Sequence, residues 1–133
     1  MRRMMFLMTA LFATSQVAPA FATVVNAVTA GDYLYISAQA PIDPTTGQMV
    51  NDDLSVATNL VLDHIQHWLH VKGFTMKQIV KTQVYLTDIR DFDEMNAVYG
   101  YRLTTPNARD VTVVSDLANN ARLEISCVAY KHR

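Results

Sequence analysis

Apolar and polar residues alternate with a period of two in several short stretches of this chain, a pattern typical of half-buried β-strands. Residues 33–39 give the clearest case. Their alternation predicts Ala38 on the buried face with the leucine and isoleucine, and Gln39 on the exposed face with the tyrosines and serine. Residues 24–29 form a similar stretch across a tight turn, so the two are predicted to make a β-hairpin.

A period of 3.6 residues follows and predicts a helix that runs to about residue 72. Asp52 or Asp53 is predicted to cap its start, and Gly73 is predicted to end it. Apolar residues fall within one stripe of this helix, which is predicted to face the core. The stripe consists of Leu54, Ala57, Leu60, Val61, Ile65 and Trp68.

A second helix is predicted after Asp91, because Asp91 and Glu94 have the spacing of a capping box. The remaining strands are predicted at residues 81–88, 106–114 and 122–130. The order β-β-α-β-α-β-β predicts a single α+β domain with two helices on one face of a sheet. The other face would expose tyrosines and apolar residues, which predicts that it is buried against another subunit.

Composition and net charge argue against two classes of function, nucleic-acid binding and binding to a membrane surface. The 133 residues are 50% hydrophobic and carry a formal net charge of −1, so they have neither a basic footprint for nucleic acid nor a polybasic membrane patch. The single cysteine, Cys127, is predicted to be a buried thiol. His64, His67 and His70 fan across a helix without thiols or carboxylates nearby, and the sequence therefore predicts no metal site there.

Residues 1–22 resemble a secretory signal by their layout. Two arginines precede the uncharged apolar run 4–13, and residues 20–22 give an A-x-A cleavage pattern. The apolar run is too short to span a bilayer. Cleavage would leave residues 23–133 in an exported compartment, periplasmic or secreted, with no membrane attachment. The alternative is an uncleaved N-terminal extension on a cytoplasmic protein.

Two charges interrupt the last two predicted strands. Arg109 lies where the first begins, and Glu124 lies between apolar residues of the second. Either they face water, or they form a cleft in which an arginine binds an anion and a glutamate handles protons. In one simple hairpin Glu124 would face Ser115, about 20 Å from Arg109. If the two charges share one site, either the strands are not neighbours in the sheet or the two residues come from different subunits.

Several segments in order resemble one family between about Val24 and Lys131. They read DYLYISAQAPIDPTTG at 32–47, VKTQVYLTD at 80–88, DFDEMNAVY at 91–99, AR at 108–109 and LEI at 123–125. This pattern is similar to that of the RidA (YjgF) family of enamine/imine deaminases. The resemblance implies a homotrimer of chorismate-mutase-like fold with sites between subunits and with no metal or organic cofactor.

The resemblance also implies an activity, the hydrolysis of 2-imino acids such as 2-iminopropanoate and 2-iminobutanoate to 2-keto acids and ammonia. Arg109 matches the arginine that binds the substrate carboxylate, and Glu124 matches the glutamate that activates water. The other implied substrate-binding positions are Ser37, Ala38, Asn96 and Val111. The implied partners are thus a small carboxylate-bearing imine and two further copies of the chain.

Three of the departures from the family pattern motivate an alternative function. Val24 stands where a pocket tyrosine is expected, Ala38 stands for a glycine, and Asp110 is placed to compete for the Arg109 guanidinium. The alternative function is therefore a non-catalytic trimer of the same fold that binds small ligands or acts as a chaperone. Ribonuclease action, attached to some relatives, is not favoured by a net charge of −1.

Overall fold

A computed structural model describes residues 25–133 of the chain. The predicted leader at residues 1–22 and the departure at Val24 lie outside them and stay predictions. The strands are β1 (Ala27–Ala30), β2 (Tyr33–Gln39), β3 (Ile79–Leu86), β4 (Ala108–Val113) and β5 (Leu123–Tyr130). The helices are α1 (Leu54–Val71) and α2 (Phe92–Arg102). Neither helix of this region is long and apolar enough to cross a membrane.

The five strands form one mixed sheet in the order β1-β2-β5-β3-β4. β3 and β4 are parallel because α2 carries the chain back between them, and the other neighbouring pairs are antiparallel. Both helices pack on one face of the sheet. The predicted β-β-α-β-α-β-β order and the α+β class are therefore confirmed, and β5 lies at the centre of the sheet.

The core lies between the helices and the alternating inward residues of the strands. In β5, Leu123, Ile125, Cys127 and Ala129 are buried, and the residues between them are half-buried. Most of the predicted stripe on α1 is buried, but Leu60 and Trp68 are only half-buried. The buried face includes three residues outside that stripe, namely Thr58, Leu62 and Leu69. Thr58 is accommodated because its hydroxyl donates to the Leu54 carbonyl at 2.7 Å.

A β-bulge in β2 overturns the predicted facing of Ala38 and Gln39. Ile36 pairs with Cys127 and Gln39 with Ile125, so three steps along β2 match two along β5. One extra residue reverses the alternation beyond it. Ala38 is consequently exposed on the open face, and Gln39 is buried with its amide donating to the Ser37 carbonyl at 3.0 Å.

The predicted capping box at the start of α2 is also wrong. The Asp91 side chain makes no cap bond, because its two oxygens accept from the Arg122 guanidinium at 2.6 and 3.3 Å. Glu94 turns instead to α1, where it accepts from the backbone N–H and the hydroxyl of Ser55, both at 3.1 Å. Charge-assisted bonds to neighbouring elements have replaced the local cap.

The N-cap of α1 is Asp53, whose carboxylate accepts from the Val56 backbone N–H at 3.1 Å. We expect Asp53→Ala to lower the free energy of unfolding by about 1 kcal/mol, because one helix-end N–H loses its partner. Urea unfolding monitored by circular dichroism measures the change. Asp52→Ala is the matched control, since it removes an equal charge next to the cap and leaves the bond. An equal loss in both variants would show that charge, rather than capping, is responsible.

Candidate active site

Arg109 lies on the edge strand β4 and is held by one face of α2. Its guanidinium carbon lies 4.5 Å from the centre of the Tyr99 ring and 5.8 Å from that of Phe92. One terminal N–H donates to the Asn96 side-chain oxygen at 2.8 Å. Phe92, Asn96 and Tyr99 are at positions i, i+4 and i+7, so they share one side of the helix. Cation–π contacts of this kind contribute about 0.5–2 kcal/mol each.

The Arg109 guanidinium has no carboxylate within ion-pair distance among residues 25–133. Arginine carries five N–H donors in a planar fork, and only the bond to Asn96 uses one here. The free edge of the fork is suited to a carboxylate that accepts two parallel hydrogen bonds. Arg109 itself lines a polar cleft of about 520 Å³, together with Tyr99, Gly100 and residues 103–107.

Asp110 does not compete for Arg109, contrary to the expectation from sequence. Neighbouring residues of a strand point to opposite faces, so Asp110 faces away from Arg109. Its carboxylate instead pairs with the Lys81 ammonium of β3 at 2.9 Å. Val111, the next residue on the Arg109 side, is half-buried and packs against the core.

Glu124 lies on the open face of the central strand β5. The flanking residues Leu123 and Ile125 are fully buried on the helix side, so the Glu124 carboxyl points the other way. Partial burial raises the pKa of this carboxyl above its ordinary value of 4.5. A carboxylate with a raised pKa is a stronger base, as proton abstraction from water requires.

Ser37 and Ala38 are exposed on the same open face as Glu124, Ser37 through the strand alternation and Ala38 because of the bulge in β2. The only non-glycine residues with positive φ in the described range are Asn119 and Asn120. Ala38 therefore fits its position without the left-handed backbone that a glycine there would permit. A shallow pocket of about 340 Å³ adjoins these residues and is lined in part by Ser37, Tyr35 and Ser126.

Arg109 and Glu124 do not come together within one chain. β4 and β5 are not neighbours, since β3 lies between them. Arg109 is level with Thr82 of β3, and Glu124 is level with Tyr85. This register separates the two residues by about 10 Å along the strands and about 10 Å across them. They also lie on opposite faces, because Thr82 faces the helices and Tyr85 does not.

The six predicted site residues thus divide into two groups. One group, on the open face, contains Ser37, Ala38 and Glu124. The other group, where α2 meets β4, contains Asn96, Arg109 and Val111. Tyr99, which packs directly under Arg109, was not among the predicted site residues. Its spacing of three residues from Asn96 could have indicated that it belongs to the site, because that spacing places both residues on one side of a helix.

The histidines and the cysteine take no part in either group. His64 binds the Ile42 carbonyl at 2.7 Å, and the His67 ring packs edge-on against Trp68. Within residues 25–133, no three histidine, cysteine or carboxylate side chains are grouped to hold a metal. Cys127 is buried as predicted, and burial raises the pKa of its thiol to about 12.

Comparisons with known proteins agree on one family. Residues 15–131 match the family model described as endoribonuclease L-PSP. The chain is 40% identical to a RutC family protein of Pyrococcus horikoshii over 107 residues, 80% of this chain and 85% of that protein. It is 31% identical to the 2-iminobutanoate/2-iminopropanoate deaminase of Salmonella typhimurium over 123 residues, 90% and 95% of the two chains.

Comparison of the fold with solved structures points to the same family. The crystal structure of the E. coli YjgF gene product superposes with a TM-score of 0.77 at 28% identity, covering 85% of this chain and 91% of that one. The match to the family model covers most of the chain, and its relatives include a named deaminase. This chain is therefore a member of the RidA (YjgF) family.

Proposed function

We propose that this protein hydrolyses reactive 2-imino acids and their enamine forms, such as 2-iminopropanoate and 2-iminobutanoate, to 2-keto acids and ammonia. The observation that carries the proposal is the Arg109 guanidinium, which α2 orients while leaving most of its donors free. A small carboxylate is the ligand that such a fork binds best. The Salmonella relative, named for the same substrates, supports this choice.

In the proposed reaction, Arg109 binds the substrate carboxylate and Glu124 acts on water. The water oxygen bonds to the imine carbon as Glu124 takes one of its protons, and the C=N electron pair moves to nitrogen. Glu124 returns that proton to nitrogen and then transfers the hydroxyl proton the same way. The C–N bond breaks as the hydroxyl oxygen becomes the carbonyl, which releases ammonia and the 2-keto acid.

We propose further that the site lies between subunits of a homotrimer. Arg109 and Glu124 of one subunit are on opposite faces of the sheet, so a shared site needs Arg109 from one copy and Glu124 from the next. The open face that carries Glu124 also exposes Tyr33 and Tyr35 by 43% and 49%. Covering such a face with another copy would remove apolar surface from water.

An assay with an amino-acid oxidase tests the activity. The oxidase generates 2-iminobutanoate from 2-aminobutanoate, and this protein should accelerate release of 2-oxobutanoate above the spontaneous rate. The alternative function, a non-catalytic ligand-binding trimer, predicts binding of 2-oxobutanoate without any acceleration. Absence of both acceleration and binding in a folded sample would contradict both functions.

Mixed oligomers test the shared site. Co-expressed Arg109→Ala and Glu124→Gln subunits should recover about a third of wild-type activity in mixed trimers, because one of the three interfaces in each mixed trimer receives an intact residue of each kind. Each variant alone should be inactive. Two different affinity tags isolate the mixed assemblies. The control pairs Arg109→Ala with the double variant, which has no intact Arg109 to contribute. No recovery in verified mixed assemblies would place both residues in one subunit's site.

A further inference from the structure

The Tyr99 hydroxyl belongs to a buried hydrogen-bond network that joins three segments. Tyr99 of α2 is 6% exposed, and its hydroxyl lies 2.6 Å from that of Thr82 on β3. It also donates to the side-chain oxygen of Asn107, which precedes β4. The Asn107 amide group donates to the Thr105 carbonyl at 3.0 Å, which fixes its oxygen towards Tyr99.

The direction of each bond in this network follows from the number of protons. The single Tyr99 proton is directed to the Asn107 oxygen, which can only accept. The Thr82 hydroxyl lies 2.6 Å from the Tyr99 oxygen and 3.5 Å from the Asn107 oxygen, so its proton is directed to the nearer Tyr99 oxygen. Both bonds hold the ring from its hydroxyl end and fix its plane. Burial raises the pKa of Tyr99, so the hydroxyl keeps its proton through the neutral and mildly alkaline range.

The face of this fixed ring is the surface on which the Arg109 guanidinium rests. A guanidinium stacked on a ring presents its N–H donors sideways, in its own plane. Asn96 binds one terminal N–H, so the remaining edge has a defined direction before any ligand arrives. An arginine without this support has many rotamers, and a ligand would have to restrict them on binding.

We propose that Tyr99, held by Thr82 and Asn107, is a positioning residue that sets the orientation of Arg109 for the substrate carboxylate. This inference rests on the proposed function of Arg109 and assigns no chemical step to Tyr99. The network then acts on substrate binding through the direction of the guanidinium, and it leaves proton transfer at Glu124 unaffected. Its loss should raise KM much more than it lowers kcat.

Tyr99→Phe is the sharpest variant, because it keeps the ring under Arg109 and removes only the hydroxyl. We expect KM for 2-iminobutanoate to rise about tenfold, and kcat to change less than about twofold. Tyr101→Phe is the matched control: Tyr101 is on the same helix, is 83% exposed, and should leave both constants unchanged. The unfolding temperature of each variant is measured beside the kinetics.

Thr82→Val provides a second variant if Tyr99→Phe folds poorly, since it keeps the shape of the side chain and removes the hydrogen bonds of Thr82 to Tyr99 and Asn107. The affinity of each variant for 2-oxobutanoate, measured by calorimetry, should fall with the rise in KM. Affinity for the uncharged methyl ester of 2-oxobutanoate should not change, because it has no carboxylate to orient.

Unchanged KM and unchanged 2-oxobutanoate affinity in folded Tyr99→Phe would overturn the inference, as would an equal loss of affinity for acid and ester. The proposed function has a separate outcome. If the wild-type protein binds 2-oxobutanoate through Arg109 but turns over no imine, the deaminase proposal fails, and the binding measurements still decide the role of Tyr99.

Discussion

Arg109→Ala is expected to lower kcat/KM for 2-iminobutanoate by about 100-fold or more. Two charge-assisted hydrogen bonds to the substrate carboxylate would be lost, and each contributes about 1.5–3 kcal/mol. The free energy of unfolding should also fall by about 1 kcal/mol or more, because the cation–π contacts with Tyr99 and Phe92 are lost, whereas Asn96 is exposed enough to bind water instead. The oxidase-coupled assay and thermal unfolding measure the two quantities on the same sample.

Two controls separate carboxylate binding from a general effect of charge. Arg90→Ala removes the positive charge of an exposed side chain whose partner is Asp88, and it should leave turnover intact. Arg109→Lys keeps the charge without the planar fork, so it should recover only part of the activity. Wild-type turnover of 2-iminobutanoate by folded Arg109→Ala would contradict the assigned role.

Glu124→Gln is expected to lower kcat by about 100-fold to 10,000-fold, because the amide cannot take a proton from water. The wild-type rate should also fall as the pH decreases through the pKa of Glu124, since only the carboxylate is active. Burial raises that pKa, so the acidic limb of the profile should lie above pH 4.5. The residual activity of the Gln variant should lack this limb.

The same substitution should have a stabilising effect at neutral pH. The pKa of Glu124 is higher in the folded than in the unfolded state, so its contribution to stability is full below the unfolded pKa and is lost as the pH rises through the folded pKa. Glutamine avoids that loss, and the unfolding temperature should rise at pH 7 relative to wild type. Glu94→Gln is the matched control, since Glu94 is exposed and binds Ser55.

Retained turnover in Glu124→Gln would exclude Glu124 as the base.

Sequence patterns predicted the elements well where the signal is local. The helix from Leu54 to Val71 has its cap at Asp53 and its stop near Gly73, all within a few residues of the backbone groups they satisfy. The alternation in β5 is equally local, since each side chain alternates with its neighbour. These features required no knowledge of the rest of the fold.

Local patterns failed where a distant residue decided the outcome. The capping box at Asp91 was lost to Arg122, which lies 31 positions away in sequence. The facing of Ala38 was reversed by a bulge that exists only because β2 pairs with β5. In both cases the sequence offered a sound local arrangement, and a tertiary contact supplied a competing one.

Arg109 and Glu124 also separate what the sequence determined from what only the tertiary structure decided. The sequence identified Arg109 and Glu124 through the family motifs, and the alternation of their apolar neighbours indicated strands. Both signals depend only on the order of residues that are near each other in the chain. It could not place the two strands relative to each other, since strand order depends on which edges meet when the sheet forms. Only the tertiary structure shows that β3 lies between them, that Arg109 packs against α2, and that Glu124 lies on the open face.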